Sequence, residues 1–400
     1  MKRVLALFSF LAVSLTAGAQ FHYQDYKNPE MMRHLNRRKP ARKEIILPQV
    51  NGYNVYKADL HTHTIYSDGA VLPDFRVKEA WLDGLDVMAV TDHLEYRPHE
   101  ETMGDYMKNY IDGSGKAVKN NRITDTPPDK DGIQVDLNSS YERTVKICES
   151  TGYGLTIIRG TEITRNGTTI GHYNALFTKD NNTIYDPDPI QAMRNAKAQG
   201  ALVMHNHPGW RKTDLNLTEV DKAAYGEGLI DGVEVMNTDE FYPCVIDRVQ
   251  ERGLFISANS DIHATTASDY SSEGNLRPMT LILAKDKSLE SLKEALVADR
   301  TIAVAFNTIC GSEKLLSDFF KASVSVRVID EKDSKGRATI WLTNNTSLEY
   351  HISRVGGNMV YLAPFSTILI KDKSKGRKIP VVVVNMFCSA DKHPEVVLSY

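Results

Sequence analysis

The chain has 400 residues, with 48 basic against 51 acidic side chains and a formal net charge of -3. That length is more than one small domain needs and accommodates a barrel of about 200 to 250 residues with a smaller companion. The near balance of charge excludes a basic field that would draw the chain to a nucleic-acid polymer or an anionic membrane, so any partner has to be argued from a site.

Residues 1–19 read as a secretion signal. Lys2 and Arg3 precede an apolar run from Val4 to Leu15, too short to span a bilayer, and Ala17-Gly18-Ala19 forms a small-x-small cleavage site before Gln20. The mature chain is therefore expected to be exported, to the periplasm. No cysteine follows the cleavage site, so no membrane anchor is indicated. Residues 20–52, polar and basic, read as a solvated N-terminal arm. Cys148, Cys244, Cys310 and Cys388 lie too far apart for a disulfide framework or a thiolate zinc site and read as buried small hydrophobes.

From Asn54 onward short β-rich runs alternate with helical patterns, which argues for parallel strands with crossover helices. The strands are expected at Asn54 to Leu60, Val87 to Thr91, Leu155 to Glu162, Ala201 to His205, Val233 to Met236, Leu254 to Ser260, Met279 to Ala284 and Thr301 to Ala305. Helices are expected at Pro73 to Leu82, Asn138 to Glu149, Ile190 to Gln199, Tyr242 to Glu251 and Leu289 to Ala298, with Pro73 as a start mark and Gly200 and Gly253 as stop marks. The sum is an α/β barrel of seven or eight βα units. Beyond Ser312 the runs Val324 to Ile329, Ala338 to Thr343, Thr367 to Ile370, Val381 to Val384 and Val396 to Leu398 have no helical pattern between them. Residues 313–400 therefore read as a small all-β domain, with Lys332 to Arg337 and Lys371 to Arg377 as solvated hairpin turns.

Polar residues recur at one end of these strands. His61 and His63 close the first, and residues two apart on a strand share a face, so both can converge on one ion. Asp92 and His93 close the second strand and Glu162 the third, with His172 shortly after; His205 and His207 close the fourth, and Asp261 and His263 follow the sixth. Seven of these groups are histidines, more than one ion of four to six ligands can take, so two or three divalent ions are implied. Imidazole with carboxylate suits zinc, iron or manganese. The candidate catalytic residues are Asp92, Arg97 and His263. Arg97 stands in the long segment from Leu94 to Asp136, which is expected to lie over the site, and its guanidinium could clamp a phosphate. Arg97 and Arg165 are the cationic candidates near the motifs, too few to grip a doubly charged anion.

Taken together, His61-Thr62-His63 with Ser67-Asp68-Gly69, Thr91-Asp92-His93, Glu162 with His172, and His207-Pro208 with Asp261-Ile262-His263 closely resemble the motifs of the PHP (polymerase and histidinol phosphatase) superfamily of phosphoesterases, from about Tyr53 to Ser312. The resemblance implies a distorted (β/α)7 barrel, here residues 53–312, with a trinuclear site. It places His61, His63, Glu162 and Asp261 on one ion, bridging Glu162 with His172 and His207 on a second, and Asp68, His93 and His263 on a third. Some family members carry His where Asp68 stands. It makes His205 the spare histidine of its pair and Asp92 an outer orienter. The export signal and β-rich tail are similar to an exported branch that includes a bacterial phosphodiesterase acting on small organophosphates.

The function expected is metal-dependent hydrolysis of small phosphodiesters by a metal-activated hydroxide. A phosphomonoesterase of the same superfamily, an amidohydrolase and a non-catalytic protein that binds metal and phosphate stay open beside it. His99 reads as an ordinary polar residue, and His22, His34, His351 and His393 lie outside the barrel pattern.

Overall fold

Strand β1 (Asn54–Asp59) enters an apolar environment, and parallel neighbours β2 (Val87–Val90) and β3 (Thr156–Thr164) line up beside it. Helix α1 (Pro73–Leu82) supplies the first crossover, starting on the proline whose missing N–H costs nothing at a helix start. Helix α2 (Ser139–Thr151) supplies the second and stops at Gly152, whose φ of 66° is the left-handed cap that glycine adopts without strain. The computed structural model describes residue 30 and residues 41–99, 136–354, 358–373 and 376–400. The expected signal at 1–19, most of the expected arm at 20–52 and residues 100–135 of the segment after β2 lie outside the described residues. Arg42–Tyr400 form one unit.

The chain continues through β4 (His172–Leu176), α3 (Pro189–Ala198), β5 (Leu202–His205), α4 (Glu219–Gly226), β6 (Gly232–Asn237), β7 (Glu240–Phe241), α5 (Pro243–Glu251) and β8 (Phe255–Asn259). Then come α6 (Thr266–Asp269), β9 (Met279–Ala284), α7 (Leu289–Val297), β10 (Thr301–Ala305) and β11 (Thr308–Cys310). All eight strands and five helices expected for this part are present, but the sheet is mixed rather than all parallel. β4 is antiparallel to both β3 and β5, because the link 165–171 is too short for a parallel crossover. β9 and β10 are antiparallel to their neighbours as well. Sequence reasoning missed β4 and α4.

The twelve-stranded sheet curls into a barrel without a continuous main-chain ladder at its seam, since β8 pairs only with β6 among the described strands. Side chains close that seam. The N–H groups of Ile256 and Ala258 donate to the hydroxyls of Thr301 and Thr280 at 3.1 Å each, and Leu60 N–H donates to Asn259 Oδ1 at 2.8 Å. Buried main-chain donors are thereby satisfied where strand pairing ends.

The C-terminal part opens with α8 (Glu313–Ser323), a helix absent from the sequence expectation, which buries Leu316, Phe319 and Phe320. Strands β12 (Val324–Asp330), β13 (Ala338–Asn344) and β16 (Thr367–Asp372) form a three-stranded sheet. A four-stranded sheet joins β14 (Tyr350–Ser353), β15 (Met359–Leu362), β17 (Lys378–Val383) and β19 (Glu395–Ser399). β18 (Met386–Phe387) instead extends the barrel sheet beside β11. Leu281 and Ile302 of the barrel and Ile340 and Val381 of the tail belong to one apolar cluster, so the two parts share a core. Cys148, Cys310 and Cys388 are buried as expected, whereas Cys244 is exposed, because it falls on the solvent side of amphipathic α5.

Candidate metal centre

His61 and His63 leave the end of β1, His93 follows β2, Glu162 lies near the end of β3, and His207 follows β5. Asp261 and His263 follow β8, and His172 opens β4, which brings it to the same barrel end because β4 runs backwards. Six histidines and three carboxylates thus meet there in four overlapping groups: His61, His63 and Glu162; His61, His207 and Asp261; Glu162, His172 and His207; and His63, Asp68, His93 and His263. The donor atoms within each group lie within 4.8 Å of one another. His205 enters none of them. It is buried against Tyr225 Oη at 3.1 Å and Asp221, where burial pushes its imidazole down to about 4.

Backbone geometry sets this convergence. Asp261 sits at φ 49° and His207 at φ 23°, left-handed values that side chains other than glycine seldom adopt and that tend to be kept at functional positions. Asp261 N–H donates to His61 O at 3.0 Å, tying the loop after β8 to that after β1. Gly69 is required beside Asp68, since a Cβ there would lie 2.8 Å from the main chain of His63 and Thr64.

The imidazoles are oriented one by one. His61 Nδ1 donates to Glu234 Oε1 at 2.9 Å, leaving Nε2 facing Asp261 at 3.2 Å. His172 Nε2 donates to Arg165 O at 2.8 Å, leaving Nδ1 3.1 Å from Glu162. His263 Nδ1 donates to Asp261 O at 2.7 Å, leaving Nε2 3.1 Å from Asp68. Asp92 touches no imidazole directly. Its carboxylate accepts from Thr64 N–H at 2.7 Å and Ser67 Oγ at 2.8 Å, and Ser67 Oγ lies 3.3 Å from His63 Nδ1, so Asp92 fixes the loop that carries His63 and Asp68. Glu234, fully buried in β6, was missed by sequence reasoning; its one signal is a carboxylate within the apolar run Val233 to Met236.

Burial disfavours charge on every member, yet the opposite charges prevail at most positions. Burial alone would raise Glu162, Asp68 and Asp261, but the surrounding histidines hold all three below the ordinary carboxylate range. Burial likewise opposes protonation of His61, His93, His207 and His263, and nearby carboxylates raise them nonetheless. Burial, with His263 and His93 alongside, pushes His63 down to about 4, and burial also lowers His172.

The donor set fits divalent ions. Nε2 of His61 and of His63, Oδ1 of Asp68 and Oε2 of Glu162 are buried without a hydrogen-bond partner, and each belongs to one of the four groups. Buried polar atoms rarely stay unsatisfied unless an ion or water takes the vacancy.

The site opens into a cavity of about 610 Å³ whose rim carries Tyr96, Trp210, Arg211 and Thr238. Arg97 is not on that rim. It is buried, with Nη1 donating to His93 O at 3.2 Å. Arg165 is buried too, paired with Glu95 and donating to Asp186 O at 2.7 Å. Among the described residues the arginine on the cavity wall is Arg211, stacked 4.3 Å above the Trp210 ring. His99 is in none of the donor groups.

No family model and no curated protein matches the chain. Among solved structures, a two-domain protein from Bacteroides vulgatus, described as containing a predicted PHP-like metal-dependent phosphoesterase, is 30% identical with a TM-score of 0.76, covering 91% of this chain and 100% of that one. A protein from Bifidobacterium adolescentis, described as a candidate metal-dependent phosphoesterase, is 15% identical with a TM-score of 0.34 over 52% of this chain and 88% of its own. An amidohydrolase from Chromobacterium violaceum is 14% identical with a TM-score of 0.35 over 53% of this chain and 89% of its own. Identity of that order with the Bacteroides protein, sustained over its whole length and over both parts of this fold, places the chain in the PHP superfamily of metal-dependent phosphoesterases.

Proposed function

We propose that the chain hydrolyses small phosphodiesters with two to three divalent ions, manganese, zinc or iron, held around Glu162. The observation that carries this reading is the set of buried donor atoms on His61, His63, Asp68 and Glu162 that make no hydrogen bond, opening on a cavity with room for a small substrate. Imidazole with carboxylate is the donor chemistry those metals share. When bound, the ions supply Lewis acidity to a phosphoryl oxygen and activate water at neutral pH.

The chain's own residues do the rest. Glu162 shares donor groups with four of the histidines, His61, His63, His172 and His207, and is held in place by Asn206 Nδ2, which donates to its Oε1 at 2.9 Å. Arg211 presents a guanidinium able to donate to a non-bridging phosphate oxygen, and Tyr96 and Trp210 line the same cavity. Among the described lining residues Arg211 is the lone arginine or lysine, which suits the single charge of a diester better than a dianionic monoester. Export to the periplasm belongs to the same reading and rests on residues 1–19 of the sequence.

The test is hydrolysis of bis-nitrophenyl phosphate against nitrophenyl phosphate and an aryl amide on one manganese-loaded preparation. A higher kcat/KM for the diester is expected. A higher value for the monoester would move the reading to a phosphomonoesterase, turnover of the amide alone to an amidohydrolase, and bound metal without turnover to a binding protein.

A further inference from the structure

Arg76, on α1, is fully buried, and all three nitrogens of its guanidinium are committed. Nε donates to the main-chain oxygen of His63 at 2.9 Å, Nη1 to that of Ala264 at 3.0 Å and Nη2 to that of His263 at 3.2 Å. Nη1 also pairs with Glu79 one turn further along the helix, and Glu79 Oε2 accepts from Thr266 N–H at 3.2 Å. One helix therefore pins two loops that are distant in sequence, the loop after β1 and the loop after β8. A main-chain bond from Ala70 N–H to His263 O at 2.7 Å runs alongside.

A buried cation is costly unless its partners compensate it, and here one carboxylate and three carbonyls do so. The carbonyls it holds belong to donor residues. His63 and His263 stack with ring centroids 4.2 Å apart and planes 19° apart, and both face Asp68 together with His93. Only a planar fork can reach carbonyls on both loops at once; an ammonium is a point donor and cannot reproduce that geometry.

We propose that Arg76 is the positioning residue for one ion position, the group His63, Asp68, His93 and His263, acting through the main chain of His63 and His263. The proposal rests on the reading of this cluster as a metal site. The group Glu162, His172 and His207 shares no residue with either loop and serves as the internal reference.

The experiment titrates the ion-free full chain, wild type and Arg76→Lys, with manganese by calorimetry, counts ions by elemental analysis after gel filtration, and follows the melting of the ion-free proteins. In Arg76→Lys the binding that draws on His63 is expected to weaken by about 10- to 100-fold, as removal of an outer-shell partner does, while the equivalent at Glu162, His172 and His207 keeps its affinity. Glu79→Gln, which leaves the guanidinium in place, should weaken the same binding by less, and it decides the matter if Arg76→Lys does not fold. Unchanged affinities, or equal weakening of every equivalent, would overturn the proposal, since a general loss of structure affects all sites together. A wild-type chain that takes up no manganese would overturn the metal reading itself and this proposal with it.

Discussion

Glu234 holds His61 in one orientation: Oε1 accepts from Nδ1 at 2.9 Å, so that Nε2 points at Asp261 and Glu162. The other oxygen of the same carboxylate accepts from His207 N–H at 2.7 Å and Asn237 Nδ2 at 2.9 Å, so one buried acid serves two donor residues. Glu234→Gln places an amide where an acceptor is needed and is expected to lower metal affinity by about 10- to 100-fold. Competition with a chromophoric chelator measures this, and wild-type affinity in the variant would remove Glu234 from the account.

Ion binding should weaken in acid. Carboxylates keep His61, His93, His207 and His263 protonated to higher pH than an ordinary histidine when no ion is present, so each ion has to displace protons. Affinity is therefore expected to rise from about pH 5.5 to 8 with release of more than one proton per ion, visible as a buffer-dependent heat in calorimetry. A flat affinity over that range would contradict the assignment of these imidazoles as ligands.

Two arginines that sequence alone does not separate should behave differently. Arg211→Ala is expected to raise KM for a diester by about 10-fold without changing the melting temperature, because its guanidinium lies on the cavity rim. Arg97→Ala should instead lower the melting temperature, because its side chain is buried against His93 O. Steady-state kinetics with thermal melts on both variants checks the pair, and the reverse pattern would restore Arg97 to the substrate.

Asp299 offers a test away from the site. It closes α7 at φ 49°, with its own N–H donating to Leu296 O at 3.0 Å and Arg300 N–H to Ala295 O at 2.9 Å, a left-handed C-terminal cap. Burial pushes its carboxyl up to about 7. The folded state therefore prefers the protonated acid, and stability is lost as pH rises from the unfolded value near 4 through 7. Asp299→Asn suits the same backbone without the charge and is expected to add about 1 kcal/mol above pH 7 and almost nothing below pH 4. Urea melts at both pH values decide it; equal stability at high pH would mean that the carboxyl is well solvated.

The donor residues were legible because they close successive strands, and strand ends are fixed by apolar runs that a sequence displays directly. The reversal at β4 was hidden, since His172-Tyr173-Asn174-Ala175-Leu176 carries polar residues inside a strand buried throughout. Arg211 could not be read either. Its place on the rim follows from the turn after β5, where His207 and Arg211 both take positive φ, and no pattern of apolar residues encodes that. The helix Glu313–Ser323 was readable in principle, for Leu316, Phe319 and Phe320 follow helical spacing, but the β-rich runs beyond it outweighed that signal.

The four overlapping donor groups around Glu162 are expected to hold divalent ions. Crystals grown from manganese-loaded protein, with diffraction recorded on both sides of the manganese absorption edge, test this most directly. Two or three anomalous peaks are expected, each within about 2.0 to 2.5 Å of donor atoms drawn from His61, His63, Asp68, His93, Glu162, His172, His207, Asp261 and His263. A map with no anomalous peak among these side chains, at manganese concentrations that saturate the protein in solution, would contradict it.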